Sequence, residues 1–448
     1  MFGANGISHV EVEVMVSTHI VLGLGATGLS VVRFLVNKGI TPVVWDSRSK
    51  PPGEDQFTEL YPQLTLGKGA WPEKLMLEAK QLIVSPGIAI ATKEIAAAAA
   101  NGVEVIGDVE LFAREINQIA NPPKLVGITG SNGKSTVTEL VAHMAKQAGL
   151  KSAVGGNIGV PMLTLLEQDL DLIAVELSSF QLETTRSLNL DVATVLNVSA
   201  DHLDRYPSFD AYRQAKLGIY NQAKHALINL DDPLTHCDHQ SLQSFSIEQA
   251  QADWYLAGDS LFHQGKPIAN SEQFQLVGRH NMANILAALA LTNALDLPIS
   301  KTLAAAESYQ GLPHRCQLVF KLNGVSFVDD SKATNIGATL AALDGFKDNL
   351  AKLILIAGGD AKGADVSELS QALAKVKNLI CLGQDGDKIA QLKNGGQFVD
   401  SMAEAVKRAK QLAEPGDIIL LSPACASIDM YPNYMARGKD FVAKAQGI

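Results

Sequence analysis

The stretch that most constrains this chain is LVGITGSNGKSTVTEL, residues 125–140. An apolar run ends in a glycine turn, and a helical pattern opens directly on GKST. That order of strand, phosphate-binding turn and helix works at the carboxyl edge of an open α/β sheet. The motif is a variant. The usual first glycine would stand at Ile128, and glycines occur instead at Gly127 and Gly130. Gly130, Ser131, Asn132 and Gly133 can aim successive N–H groups at phosphate oxygens. Lys134 adds a point charge for the outer phosphates, and the Ser135 or Thr136 hydroxyl suits Mg2+.

A second glycine turn lies upstream, GLGATG at 23–28. Gly23, Gly25 and Gly28 follow a strand and open a helix, and Asp46 ends the next strand. This is a dinucleotide-type fingerprint, and any diphosphate-linked ligand satisfies the same physics. A nicotinamide dehydrogenase explains this turn but leaves GSNGKST unused. A P-loop switch or transport ATPase explains GSNGKST but leaves the first module unused.

Apolar runs alternating with helical stretches continue along the chain. QLIVSPG, VEVIGD, KLVGITG, DLIAVEL, VATVLNV and ALINLDD read as strands. Helices are predicted over Lys134–Gly149, Ser208–Lys224 and 279–295, while 232–275 is polar and gives no assignment. GLPHR at 311–315 interrupts the pattern, and VSFVDD, LILIAGGD, LICLG and DIILLSPA form a third series. The reading is α/β with three domains: a Rossmann-like domain over 1–107, a central P-loop ATPase-type domain over 108–312 and a C-terminal Rossmann-like domain over 313–448.

Composition excludes some classes. The net charge of −10 and the absence of a dense basic run argue against nucleic acid. No apolar run spans a bilayer. Cys237, Cys316, Cys381 and Cys425 form no CxxC pair, which fits reduced thiols and a cytoplasmic location. HCDH at 236–239 is too crowded for a zinc site, and no second ligand cluster follows. The first residues lack a signal-peptide pattern, and Met15 is an equally good start.

Carboxylates at strand ends supply the remaining chemistry. Glu176 in IAVELSS can be a metal ligand, or the turn there can be a plain helix cap. Asp201, His202 and Asp204 follow another strand end. SKATN (331–335), GGDAKGAD (358–365) and LSPACAS (421–427) are polar turns at equivalent edges of the last series. Lys216 in AYRQAKLGIY reads from spacing alone as an exposed helix lysine.

Taken together, GITGSNGKST, GGNIG, ELSSFQLETT, LNVSADHLDRYP, AYRQAKLGIY, GRHNMAN, GLPHRC, DDSKATN, GGDAKGAD and LSPACAS resemble the Mur ligase family of ATP-dependent amide-forming enzymes. The likeness covers nearly the whole chain after Thr18. Folylpolyglutamate synthase shares the P-loop, but the upstream turn and SSFQLE argue against it. Within the family, ELSSFQLE, DHLDRY and DSKATN imply addition of D-glutamate to UDP-N-acetylmuramoyl-L-alanine; another Mur ligase is the alternative. The resemblance implies UDP contacts from Gly25, Ala26, Thr27, Asp46, Ser47, Arg48 and Gly87, with Asn157 and His202 lining the sugar-peptide site. It implies ATP contacts from the P-loop residues Gly130–Thr136 and from Asn281, Asn284, Arg315 and Asp330. D-glutamate falls to Lys332, Thr334, Lys362, Ser427 and Tyr434. Two Mg2+ ions are implied, one on Ser135 and Glu176, the other on His202 and a carbamylated Lys216. Ala200 and Tyr434 depart from the usual acidic residue and Phe. The family further implies a monomeric enzyme of peptidoglycan precursor synthesis.

Overall fold

The computed structural model describes residues 19–199, 205–276 and 278–447. The chain forms two compact units. The first runs to Pro122 and takes in Gly155–Asp169 and Leu177–Asn189. Its sheet is wholly parallel, in the order Leu66–Lys68, Val43–Asp46, His19–Leu22, Gln81–Val84, Glu104–Ile106. Strand order reverses beside His19–Leu22, and the glycine turn sits at that switch point, where open sheets bind ligands. Ile20, Leu22, Leu82 and Val84 are fully or almost fully buried there, as apolar runs in a sheet covered on both faces should be.

Glu110 fastens Leu177–Asn189 within this unit. Its carboxylate accepts from the Arg186 and Ser187 backbone N–H groups and from the Ser187 hydroxyl. Burial is the largest influence on its proton affinity and raises it, but these donors together with Arg114 hold the carboxyl below the usual range. Nothing in the sequence pattern marks this role of Glu110, because Arg186 and Ser187 lie far along the chain.

The second unit holds two sheets. Nine strands run in the order Lys266–Asn270, Ser260–His263, Trp254–Ala257, Leu242–Ser246, Ala223–Asn229, Leu190–Val195, Lys124–Thr129, Leu172–Glu176, Ser152–Gly156. The region left without assignment, 232–275, supplies four of these. Trp254–Ala257, Ser260–His263 and Lys266–Asn270 pair antiparallel in succession, with Trp254 buried and stacked on His263 at 3.7 Å. Short strands with polar faces give a weak periodic signal, which is why this extension was illegible.

The helix expected over 208–224 ends earlier, at Leu217. Tyr220 explains the stop. Its buried hydroxyl accepts from the Val195 N–H and donates to the Leu227 carbonyl, tying the chain to the sheet before Ala223–Asn229 begins. Helices Lys134–Gln147 and Arg279–Asn293 cover this sheet with a continuous apolar core that includes Val137, Leu140, Ile285 and Leu289.

The third sheet runs Gln317–Leu322, Val325–Asp329, Ile418–Leu421, Leu353–Gly358, Asn378–Leu382, Gln397–Phe398, parallel except for its antiparallel first strand. All four cysteines are free thiols, three of them buried. Among the described residues no helix is long and apolar enough to cross a membrane.

Candidate active site

The displaced glycine has a packing reason. Gly127 lies inside the strand Lys124–Thr129, where a Cβ would come within 2.5 Å of Leu190. The turn itself belongs to Gly130 and Gly133, and Gly133 caps the helix Lys134–Gln147 with φ +82°, a region that favours glycine. The expected cradle is partly engaged. The Ser131 N–H donates to the Asn197 carbonyl and the Asn132 N–H to Asn197 Oδ1, while Asn197 Nδ2 returns a bond to the Asn132 carbonyl. The Ser131 hydroxyl bonds the Ser199 carbonyl at 3.1 Å. Asn197 thus shapes the loop, and sequence reading missed it.

Two lysines converge behind this turn. Lys134 Nζ donates to the carbonyls of Gly130 (2.8 Å) and Ser131 (3.0 Å). Lys216 Nζ donates to the same Gly130 carbonyl at 3.0 Å and lies 4.6 Å from the centre of the Tyr212 ring. Lys216 is therefore buried, at 2% exposure, and not on the helix's solvent face as spacing alone suggested. Two ammonium groups on one oxygen repel each other, so an anion beside them is favoured.

Glu176 ends the strand Leu172–Glu176, in register with Ile128 on the P-loop strand, and is buried. Ser135, one residue into the P-loop helix, is buried too. One turn on, Glu139 has its carboxyl pushed up by burial and then by the charge of Glu176. Carboxylate and hydroxyl oxygens near a second carboxylate form the hard donor set that Mg2+ takes, so Ser135 and Glu176 fit the ion. Lys216 donates through Nζ to the Gly130 carbonyl, and an ammonium has no lone pair for a metal; a carbamate would offer oxygens. His202 lies outside the described residues.

A cavity of about 430 Å3 opens from the P-loop toward the third sheet. Asn132, Gly133 and Thr136 line one end. Arg315, Asp330 and Lys332 face it from the last third of the chain. The volume lies in the usual range for small-molecule sites. Asn284 lines it directly, its Oδ1 standing 2.5 Å from where a Gly133 Cβ would be. Asn281 is buried behind it and accepts from Asn284 Nδ2 at 3.1 Å. The walls unmarked in the sequence are Phe245, Ile247 and Glu248, from the unassigned region, and Ala338, Ala341 and Ala342, one face of the helix Ile336–Gly345. Asp330 is buried among Ser422 Oγ and the Cys316 N–H. Burial pushes its carboxyl up to about 7 against those two donors.

The polar turns of the third sheet come together. Lys332 Nζ sits over the Tyr434 ring at 4.2 Å, with Thr334 two residues on. Asp360 and Ala426 bridge the GGDAKGAD and LSPACAS turns, which brings Lys362 and the buried Ser427 onto neighbouring loops. Lys362 is exposed with φ +52°. Two supports were not legible. Arg437 reaches from the last helix to the Ser331 hydroxyl, the Ser331 carbonyl and the Cys425 carbonyl. His314 Nδ1 meets Asp329 Oδ2 at 2.7 Å.

In the first unit, Gly25, Ala26, Thr27, Ser47, Arg48 and Gly87 lie at the carboxyl ends of three adjacent strands. Asp46 is not open to a ligand as expected. Its oxygens accept from the Leu24 N–H (2.8 Å) and from the Arg48 N–H and guanidinium. Burial works hardest on this carboxyl and raises it, yet these donors together hold it at about 2. Asp46 fastens the glycine turn and orients Arg48, whose side chain is half exposed. Asn157 is exposed in the segment after Ser152–Gly156.

Three family models match in succession: the MurD-like N-terminal domain of Mur ligases over residues 17–107, the Mur ligase middle domain over 128–292 and the Mur ligase glutamate ligase domain over 314–425. The chain is 52% identical over 431 residues to UDP-N-acetylmuramoylalanine--D-glutamate ligase of Shewanella oneidensis, covering 96% of this chain and 98% of that one. It is 47% identical over 430 residues to the enzyme of that name from Pseudoalteromonas translucida, covering 94% and 95%. Among solved structures, UDP-N-acetylmuramate-alanine ligase MurC of Thermotoga maritima aligns with a TM-score of 0.57 at 18% identity, over 96% of this chain and 99% of that one. MurF of Acinetobacter baumannii aligns at 0.58 and 18%, over 96% and 90%. Those two likenesses bear on the fold alone.

Proposed function

The chain belongs to the Mur ligase family of ATP-dependent amide-bond-forming ligases, and we propose on that premise that it joins D-glutamate to UDP-N-acetylmuramoyl-L-alanine in peptidoglycan precursor synthesis. The observation that carries the residue roles is the cavity running from Gly133 and Thr136 to Arg315, Asp330 and Lys332. It gives ATP a phosphate end at the P-loop and faces that end toward the turns assigned to the amino acid. The first unit holds the UDP tail at Gly25, Ala26, Thr27, Ser47, Arg48 and Gly87, with Asp46 fixing Arg48; Asn157 and His202 line the sugar-peptide site.

A carboxylate and an amine do not condense usefully in water without activation. An oxygen of the L-alanyl carboxylate attacks the γ-phosphorus of ATP, the bond to the bridging oxygen breaks, and ADP leaves. The amine of D-glutamate then attacks the acyl carbon of the acyl phosphate; phosphate departs with the bonding pair and takes up the proton that the amine nitrogen gives up. Lys134 offsets charge on the transferring group, so catalysis is chiefly positioning and electrostatics. Ser135 and Glu176 would hold one Mg2+, and His202 with a carbamylated Lys216 a second; the ions would supply further charge compensation. Asn281, Asn284, Arg315 and Asp330 seat the nucleotide. Lys332, Thr334, Lys362, Ser427 and Tyr434 hold D-glutamate with its amine toward the acyl carbon. Closure around the acyl phosphate excludes water. The enzyme acts as a cytoplasmic monomer.

The test is ADP release measured with a panel of UDP-sugar acceptors and amino acids. Release that requires both UDP-N-acetylmuramoyl-L-alanine and D-glutamate is expected. Release independent of any amino acid, or preference for another amino acid, overturns the reading.

A further inference from the structure

The helices walling the nucleotide cavity meet at one side chain. Helix Arg279–Asn293 carries Asn284 against Gly133 and has His280 in its first turn. Helix Ile336–Gly345 lines the same cavity with Ala338, Ala341 and Ala342. It begins at the Asn335 cap, directly after Lys332 and Thr334, and ends at Gly345. The His280 ring lies against that last residue. A Cβ at Gly345 would fall 1.7 Å from His280 Nδ1 and 2.5 Å from Cε1. Phe346 meets the ring edge-on, with centroids 6.3 Å apart.

Shape holds this ring. Nδ1 is buried and makes no hydrogen bond among the described residues. The nearby Glu248–Lys347 ion pair, at 2.7 Å, spans the same gap, but both side chains are exposed at 40% or more, and such pairs contribute little. The contact is also a partition. His280, Asp344 and Lys347 line the nucleotide cavity on one side. Gly278, Gly345 and Phe346 line a separate cleft of about 680 Å3 on the other.

We propose that His280 seated on Gly345 is a positioning joint, which sets the helix Ile336–Gly345 against the nucleotide site and thereby places the Lys332–Thr334 turn for D-glutamate. A ten-residue helix is a rod of about 15 Å, so displacement at its carboxyl end moves its amino end. The joint touches no reacting atom. It couples two sites through a rigid element that both share. This rests on the reading of the cavity as an ATP site and of the 331–335 turn as a D-glutamate site.

The test is a cycle of Gly345→Ala, His280→Ala and the double variant. Gly345→Ala drives a methyl into the ring and tilts the helix. It is expected to weaken ADP binding, measured by calorimetry, and to raise the KM for D-glutamate by about 10-fold, a typical coupling. His280→Ala empties the slot. In the double variant the new methyl has room, so the effects should be far smaller than the product of the two singles. Melting temperatures measured alongside identify a variant that merely unfolds; if Gly345→Ala does so, His280→Ala is read alone, and ADP affinity and D-glutamate KM unchanged in the folded His280→Ala protein overturn the joint. Multiplicative effects, or unchanged ADP affinity and D-glutamate KM in a folded Gly345→Ala protein, overturn the joint. Wild-type protein that binds no ADP overturns the nucleotide reading together with the joint. Wild-type protein that binds ADP but forms no D-glutamate product overturns the proposed substrate alone, because the ADP arm of the cycle still reads the joint.

Discussion

Lys134 and Lys216 share the Gly130 carbonyl, and Lys134 carries a direct test. In the proposed reaction Lys134 stands beside the phosphates. Lys134→Ala should reduce kcat by at least about 100-fold while leaving UDP-sugar binding, followed by calorimetry, unchanged. Retained turnover would remove Lys134 from the reaction. Asn197 offers a second prediction at this scale. Its side chain bonds both the N–H and the carbonyl of Asn132, so Asn197→Ala should destabilise the fold by about 1–3 kcal/mol in urea melts. It should also raise the KM for ATP, since the loop loses its brace. An unchanged KM would show that the loop holds its shape without Asn197.

Elements follow the sequence where packing is local and part from it where packing is distant. The P-loop strand and helix were legible because a buried apolar run, a glycine turn and GKST state the same structure at three levels. The strands of 232–275 were not. They are short and partly polar, and their place at a sheet edge is fixed by neighbours such as Trp254 on His263. Lys216 shows the same divide within the site. Its helix was predicted, but its burial against Gly130 depends on a strand elsewhere in the chain. The alanine face of Ile336–Gly345 reads in sequence as ordinary helix, and only the fold makes it a cavity wall. Ala341→Leu should therefore leave the helix intact, since leucine is a good helix former. It should raise the KM for ATP by about 10-fold or more, because its side chain enters the cavity and some 1.4 kcal/mol of lost binding is tenfold. Steady-state kinetics with circular dichroism as control checks both halves.

At the scale of the whole molecule, two carboxyls shifted in opposite directions give stability opposite dependences on pH. In the second unit Asp330 has a folded value of about 7 against an ordinary 3.8, through burial. The folded chain keeps a proton that the unfolded chain loses over this range. The stability from this group is therefore fully present below pH 3.8 and is lost as pH rises through about 7. In the first unit Asp46 behaves oppositely: its folded value of about 2 gives stability above 3.8 that is lost as pH falls through 2. Asp330→Asn should thus flatten the decline of the urea midpoint between pH 4 and 7, and a slope unchanged from wild type would show that Asp330 titrates normally.

Gly133 and Asn284 also carry a historical consequence. A methyl at Gly133 would lie 2.5 Å from Asn284 Oδ1, and the glycine's φ of +82° already disfavours any side chain. The two residues belong to motifs far apart in the chain, yet they are one steric object. Gly133 cannot gain a side chain while Asn284 stands there. Lineages that exchange Asn284 for a bulkier residue should be missing from the living record, whatever else changes around them.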